Sequence, residues 1–223
     1  MKICVIIPSF NEAKTIAGIV TEVLRQGLDC VVIDDGSKDD TAGEAKNSGA
    51  VVFKNQKNEG KGASLSLGFY YALNNGYDAV ITMDGDGQHL PEEIPSFLQR
   101  AEDSSAGIVV GNRMTRRRNM PFVRVLTNKL MSFLISRICK QHIPDSQCGF
   151  RLIGKEVLSR LELKTCRYEA ETEILISAAR SGFKIESVPI RSIYSGEKSQ
   201  INPIVDTLRF IKFIRKEIWK RAN

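Results

Sequence analysis

Four short apolar runs, each followed by a polar loop and then by a helical pattern, constrain the fold of this chain more than any other feature. Residues 2–7 read as a buried strand stopped by Pro8. Asn11 is placed to cap the helix that follows. Ile16, Ile19, Val20, Val23 and Leu24 fall on one face of it, and Gly27 ends it. Residues 30–33 form a second strand closing on Asp34-Asp35-Gly36-Ser37, and a helix starts near Asp39 and ends at Gly49. Residues 50–53 form a third strand. Asn58-Glu59-Gly60-Lys61-Gly62 then leads into a helix with Leu65, Phe69, Ala72 and Leu73 inward. Residues 77–81 are the fourth strand. Strands alternating with helices across short loops predict an α/β fold, a doubly wound, mostly parallel sheet with helices on both faces. Ligands bind such sheets at the carboxyl ends of the strands. The polar loops at residues 8–12, 34–37, 58–62 and 84–88 all fall on that rim.

The fourth loop, Asp84-Gly85-Asp86-Gly87-Gln88-His89, carries the most chemistry. Two carboxylates one residue apart at a strand end repel unless protons or a cation lie between them. Mg2+ or Mn2+ suits this turn, because a hard ion takes carboxylate oxygens, the Gln88 carbonyl and substrate phosphate oxygens together. An EF-hand needs Gly at its sixth position and Glu at its twelfth; counted from Asp84 these are His89 and Pro95. An aspartyl phosphatase usually places its carboxylates after the first strand. A plain turn before a helix opened by Pro91 also accounts for the pattern. The Gly60-Lys61-Gly62 loop lacks the spacing of a P-loop and of a dinucleotide fingerprint. It suits either a phosphate at a helix N-terminus or a tight turn.

The second half is less regular. A helix containing Ile94, Phe97, Leu98 and Ala101 precedes a strand at residues 107–111, which ends on Asn112-Arg113. Residues 122–139 read as an amphipathic helix with Phe122, Leu126, Leu130, Phe133, Leu134 and Ile138 on one side. Arg124, Asn128, Lys129 and Ser132 lie on the other. That stripe fits a helix packed on the core or one lying in a membrane interface. A polar turn at residues 145–151 leads to a short strand. A helix containing Glu171, Ile174 and Leu175 ends at Gly182, residues 184–189 form a strand, and residues 204–220 form a basic final helix.

Charge is unevenly placed. Of the net +6, residues 104–144 hold eight cations and no acid, and residues 203–223 hold six cations against two acids, so the remainder is net negative. Two basic segments on an acidic body suggest an anionic partner on one side, a membrane surface above all. A nucleic-acid module would not explain the acidic rim, and the basic stretch lacks aromatic interleaving, so no nucleic acid is expected. Five cysteines without a Cys-x-x-Cys pair read as reduced thiols of a cytoplasmic protein. The 223 residues show no signal peptide pattern and no run of membrane-spanning length.

In order along the chain stand Ile6-Ile7-Pro8-Ser9-Phe10-Asn11-Glu12, Ile33-Asp34-Asp35-Gly36-Ser37, Asp84-Gly85-Asp86-Gly87-Gln88-His89, Gly111-Asn112-Arg113, Gly149-Phe150-Arg151 and Val188-Pro189-Ile190. Jointly they resemble the family 2 glycosyltransferases of GT-A fold. The nearest branch is that of the dolichyl-phosphate mannose synthases and polyprenyl-phosphate glycosyltransferases. The resemblance implies a catalytic domain over residues 1–200; the basic amphipathic helix over 201–223 is then part of the same domain or a membrane-surface appendage. It implies inverting transfer of a hexose from a donor of the GDP-mannose or UDP-glucose type to a polyprenyl phosphate. The chain would be cytoplasmic, peripheral on an anionic membrane face or held by a membrane-embedded partner. Pro8, Phe10, Glu12, Asp34 and Asp35 would hold the nucleotide. Asp84, Asp86 and Gln88 would hold Mg2+ or Mn2+ on the diphosphate, with Lys61 and Lys198 beside it. Arg113, Cys148, Arg151 and Ser199 would meet the acceptor phosphate. Asp86 and Arg113 would be catalytic, as would Asp145 as a base if the acceptor were a hydroxyl.

Overall fold

The predicted alternation folds into one seven-stranded sheet, seen in a computed structural model that describes residues 1–115, 120, 122–163, 165, 169–191 and 193. The strands are β1 (Ile3–Ser9), β2 (Asp29–Asp34), β3 (Val51–Lys54), β4 (Ala79–Thr82), β5 (Ile108–Asn112), β6 (Arg151–Gly154) and β7 (Ile185–Pro189). Their spatial order is β3-β2-β1-β4-β6-β5-β7. Among the described residues only β6 runs antiparallel, against both β4 and β5. The helices are α1 (Ile16–Arg25), α2 (Thr41–Asn47), α3 (Lys61–Asn74), α4 (Ile94–Ser104), α5 (Phe122–Cys139), α6 (Lys155–Leu158) and α7 (Glu169–Arg180).

The continuous apolar runs are explained by burial on both sheet faces: residues 4–7 of β1, 31–33 of β2 and 80–81 of β4 are all inaccessible to solvent. Burying each such Val or Ile side chain contributes about 1.5–3 kcal/mol. Strand order reverses between β1 and β4, which makes the crevice at their carboxyl ends the place for a ligand. Register brings the loops level there. Ser9 pairs with Asp34, Asp34 with Lys54, and Ile6 with Thr82.

One expectation changes, and one open alternative is narrowed. Asn11 does not cap α1, which begins at Ile16. It sits at φ 58°, a left-handed conformation that Asn tolerates. Its backbone N–H donates to Ser37 Oγ at 2.9 Å and its side-chain oxygen accepts from the Lys38 N–H at 2.9 Å, tying the first rim loop to the second. Of the two readings open for the apolar stripe of α5, packing on the core holds only for Ile138. Phe122, Leu126, Leu130, Phe133 and Leu134 face outward, while Asn128, Ser132, Ile135 and Cys139 are buried. The amphipathic reading of 204–220 and the boundary at 200 lie outside the described residues.

Candidate functional site

The rim is braced by carboxylates. Asp35 accepts from Asn55 Nδ2 at 2.8 Å, the Glu59 N–H at 2.9 Å and the Gly60 N–H at 2.8 Å. Both of its oxygens are thus spent on shaping the loop before α3. Asp35, expected from the sequence to bind the donor, has a bracing role on the rim. Asp34 is different. Its Oδ1 accepts from the Ser37 N–H at 2.8 Å, but its buried Oδ2 has no hydrogen-bond partner, only the Lys54 ammonium at 3.3 Å. A buried carboxylate oxygen without a donor suits a ligand N–H or O–H. Pro8, Phe10 and Glu12 lie on the same rim, half-buried.

The Asp84–Gln88 turn is held from below. Thr15 Oγ1 donates to the Gly85 carbonyl at 2.5 Å, and the Gln88 N–H donates to Asp86 Oδ1 at 2.9 Å. A Cβ on Gly85 would lie 2.6 Å from Ser9 Oγ, so the turn packs directly on the end of β1. The Lys61 ammonium reaches across from α3. It donates to Asp84 and, at 2.5 Å, to Glu171 Oε1 on α7. Burial alone would pull its pKa down, but those two carboxylates raise it. Burial likewise pushes the Asp84 carboxyl up, yet the Lys61 ammonium outweighs it and the net shift is downward. Asp86 is shifted upward, first by burial and then by the charge of Asp84. His89 is lowered by burial, so it is neutral at pH 7; its Nδ1 accepts from the Asp84 N–H at 3.2 Å.

Asp84, Asp86 and Glu171 therefore meet one ammonium and one neutral imidazole, which leaves the cluster negative. That donor set fits a hard cation. Among the described residues no group of three His, Cys, Asp or Glu closes a metal site by itself. An ion held by Asp84, Asp86 and Gln88 would complete its shell with substrate oxygens, as Mg2+ commonly does.

Beside this cluster lies a second one. The Arg113 guanidinium clasps Asp145 with two bonds, Nε to Oδ2 at 2.8 Å and Nη2 to Oδ1 at 2.9 Å. The Arg113 N–H adds a third at 3.1 Å, and Asn128 Nδ2 of α5 a fourth at 2.7 Å. Ser132 Oγ donates to Asn128 Oδ1 at 3.0 Å and accepts from the Ser146 N–H at 2.9 Å. Burial pushes the Asp145 carboxyl up, but Arg113 and Asn128 win and hold it below the usual carboxylate range. Asp145 is therefore an anchor for Arg113, and a base role does not fit a carboxylate saturated by four donors. Cys148 joins the two clusters, its N–H on the Asp145 carbonyl at 3.5 Å and its Sγ 3.9 Å from His89 Nε2, so they share one site.

Arg151 is not directed at a ligand. It is buried and donates to three main-chain carbonyls, of Cys148 at 2.7 Å, Glu171 at 2.5 Å and Ser146 at 2.9 Å. Cys148 is buried too, its thiol pushed up to about 12 mainly by burial, with Sγ 3.9 Å from His89 Nε2. Both correct the reading of these residues as acceptor-phosphate ligands. Lys198 and Ser199 lie outside the described residues. The sequence assigned no site role to His89, Glu171 or Asn128. His89 stood at the end of the Asp84 motif, and Asn128 left a signal as a polar residue one turn before Ser132, opposite an apolar stripe.

Comparison with known proteins agrees with this geometry. The model of "Glycosyl transferase family 2" matches residues 4–162. The UDP-N-acetylglucosamine–dolichyl-phosphate N-acetylglucosaminyltransferase of Methanococcus voltae is 32% identical, over 86% of this chain and 86% of that protein. The polyprenol monophosphomannose synthase of Mycolicibacterium smegmatis is 30% identical, over 83% of this chain and 75% of that one. In fold, the chain is similar to glucosyl-3-phosphoglycerate synthase from Mycobacterium tuberculosis, solved in complex with Mg2+ and uridine diphosphate. The TM-score is 0.75, with 21% identity, covering 99% of this chain and 79% of that one. The order of motifs, the GT-A sheet with one reversed strand and the carboxylate pair at its switch point agree with the family match, and the chain belongs to glycosyl transferase family 2.

Proposed function

We propose that this glycosyltransferase moves a hexose or N-acetylhexosamine from a nucleotide diphosphate sugar to a polyprenyl phosphate, with inversion at the sugar. The observation that carries the reading is the pairing, in one crevice, of the Asp84–Asp86 turn with an arginine locked by a buried carboxylate. The named activities of the Methanococcus and Mycolicibacterium relatives support it. Asp34 and the loop at residues 8–12 take the nucleoside. Asp84, Asp86 and Gln88 hold Mg2+ or Mn2+, which when bound neutralises charge growing on the departing diphosphate. Lys61 adds a second positive charge beside it. Arg113 orients the acceptor phosphate. An oxygen of that phosphate bonds to the anomeric carbon as the bond from that carbon to the diphosphate oxygen breaks. A phosphate monoester has a second pKa of about 6, so it attacks already ionised. No general base is needed, in keeping with an Asp145 saturated by donors.

A lipid acceptor places the chain at the cytoplasmic face of a membrane, as a peripheral protein. None of the described helices is long and apolar enough to cross a membrane. The test is turnover of a panel of UDP- and GDP-sugars with Mn2+, offering a short-chain polyprenyl phosphate or the matching polyprenol. A phosphate-linked product with one donor is expected. Transfer to the alcohol but not to the phosphate would sink the reading.

Gly149 gives a sharper check on the crevice. A Cβ there would lie 2.8 Å from Glu171 Oε1, 2.8 Å from Lys61 Nζ and 3.0 Å from Asp84 Oδ2. All three are side-chain ends, so the fold can absorb Gly149→Ala while the charged atoms must move. The expected result is unchanged circular dichroism with kcat lower by about 10²-fold, the usual penalty for displacing a site by an ångström.

A further inference from the structure

Three main-chain N–H groups just past β7 are taken by parts of the site. The Ile190 N–H donates to the Asn112 carbonyl at 3.1 Å, one residue before Arg113. The Ile193 N–H donates to the Gln88 main-chain carbonyl at 3.1 Å, in the turn that carries Asp84 and Asp86. Between these two, the Arg191 N–H is shared by both oxygens of Glu93, at 3.0 Å each. The chain after β7 therefore joins the arginine side of the crevice to the carboxylate turn. Its inner end is fixed by packing. Ile190 is fully buried, and a Cβ on Gly111 would lie 2.6 Å from its Cδ1. Its outer end has no such hold, since Ile193 is 48% exposed.

Glu93 supplies the hold. It directly precedes α4 and is only 8% exposed. A buried carboxylate is costly unless donors meet it. Among the described residues its side chain meets Arg191, through the main-chain N–H and, at 3.2 Å, the guanidinium Nε. The Arg191 side chain is mostly exposed, so the ion pair adds little. The bond from the main chain matters more, because an ionised acceptor makes it about twice as strong as a bond between neutral groups.

We propose that Glu93 is a positioning residue for the metal turn. By gripping the Arg191 main chain it keeps the Ile193 N–H on the Gln88 carbonyl, and so fixes the outer side of the turn. Thr15 fixes the other side through the Gly85 carbonyl. With both carbonyls tied, the oxygens of Asp84, Asp86 and the Gln88 side chain stay converged on one ion. The inference rests on the metal reading given above. The coupling is reciprocal. An ion on the Gln88 side chain steadies the main chain of the same residue, and with it the bond from Ile193.

The test is Mn2+ affinity in the presence of UDP or GDP, read from the electron paramagnetic resonance of free Mn2+, with no sugar donor and no acceptor present. Glu93→Ala is expected to weaken Mn2+ binding by about tenfold, the lower end of the penalty for losing an outer-shell partner of a metal ligand. Glu93→Gln keeps an acceptor for the Arg191 N–H and should recover most of that loss. Arg191→Ala keeps the N–H and loses only the guanidinium, so it should stay within about twofold of the wild type. As a second readout, Mn2+ with nucleotide should slow hydrogen exchange of the Ile193 amide in the wild type, and less so in Glu93→Ala. Wild-type Mn2+ affinity in Glu93→Ala would overturn the proposal whatever happens to Tm, because the contact would then only staple α4 to the chain after β7. An equal loss in Arg191→Ala would overturn it too, by assigning the effect to the ion pair. A wild type that binds no Mn2+ with either nucleotide would overturn the metal reading, and this inference with it. The wild-type titration alone tells that failure from the other two.

Discussion

Asp86→Asn is expected to reduce transfer by at least about 10³-fold, because the remaining carboxylate cannot hold a hard cation on a diphosphate by itself. The amide keeps the oxygen that accepts from the Gln88 N–H, so the turn survives. It also removes a negative charge from beside Asp84, where burial and repulsion already disfavour it. The variant should therefore melt, in chelator, at the wild-type temperature or above it. Low activity with retained or raised stability identifies a residue kept for function at a cost to the fold. The measurements are steady-state turnover with Mn2+ and thermal denaturation in chelator. Wild-type turnover by Asp86→Asn, or by the wild type in excess chelator, would refute the metal assignment.

Asp145→Ala should do the opposite and damage the fold itself. Asp145 is fully buried and is the shared acceptor for Arg113 and Asn128. Removing one partner of a buried ion pair leaves the other charge uncompensated and costs about 3–5 kcal/mol. Denaturant unfolding should show that loss, and the Michaelis constant for the acceptor should rise more than that for the donor. Its pH dependence has a definite sign. The carboxyl is held below its ordinary value in the folded protein. Its stabilising effect is therefore present above about pH 4 and is lost as pH falls through the lower folded value. The gap between wild type and variant should narrow in acid. A change within about 0.5 kcal/mol, the range of ordinary surface substitutions, would show that Arg113 and Asn128 find other partners.

Much of this was legible in the sequence because it is local. Continuous apolar runs 4–7, 31–33 and 80–81 can only be buried strands, and the polar loops after them must fall on one rim of a parallel sheet. The turn at Asp84 announces itself through two carboxylates among glycines, whatever surrounds it. What stayed hidden depends on approach through space. Asp34 and Asp35 are neighbours of one type, yet Asp35 braces a loop through three accepted hydrogen bonds while one oxygen of Asp34 meets only the Lys54 ammonium. Nothing in their order along the chain distinguishes them. Glu171 reads as a charge in the first turn of a helix, and only the packing of α7 against α3 puts it on Lys61.

Arg151 and Cys148 flank Gly149-Phe150 in a motif-like glycine turn and suggest ligands. The reversed strand β6 instead carries Arg151 inward onto three carbonyls and leaves the thiol in the core. Helix α5 is the clearest division between the two levels. Periodicity determined that it is two-faced, since spacing along a helix fixes which residues share a side. Which face turns inward was decided by the tertiary structure. The buried Asp145 carboxylate takes a further donor from Asn128, Ser132 holds that amide and the Ser146 N–H, and the burial of both residues turns the apolar stripe outward.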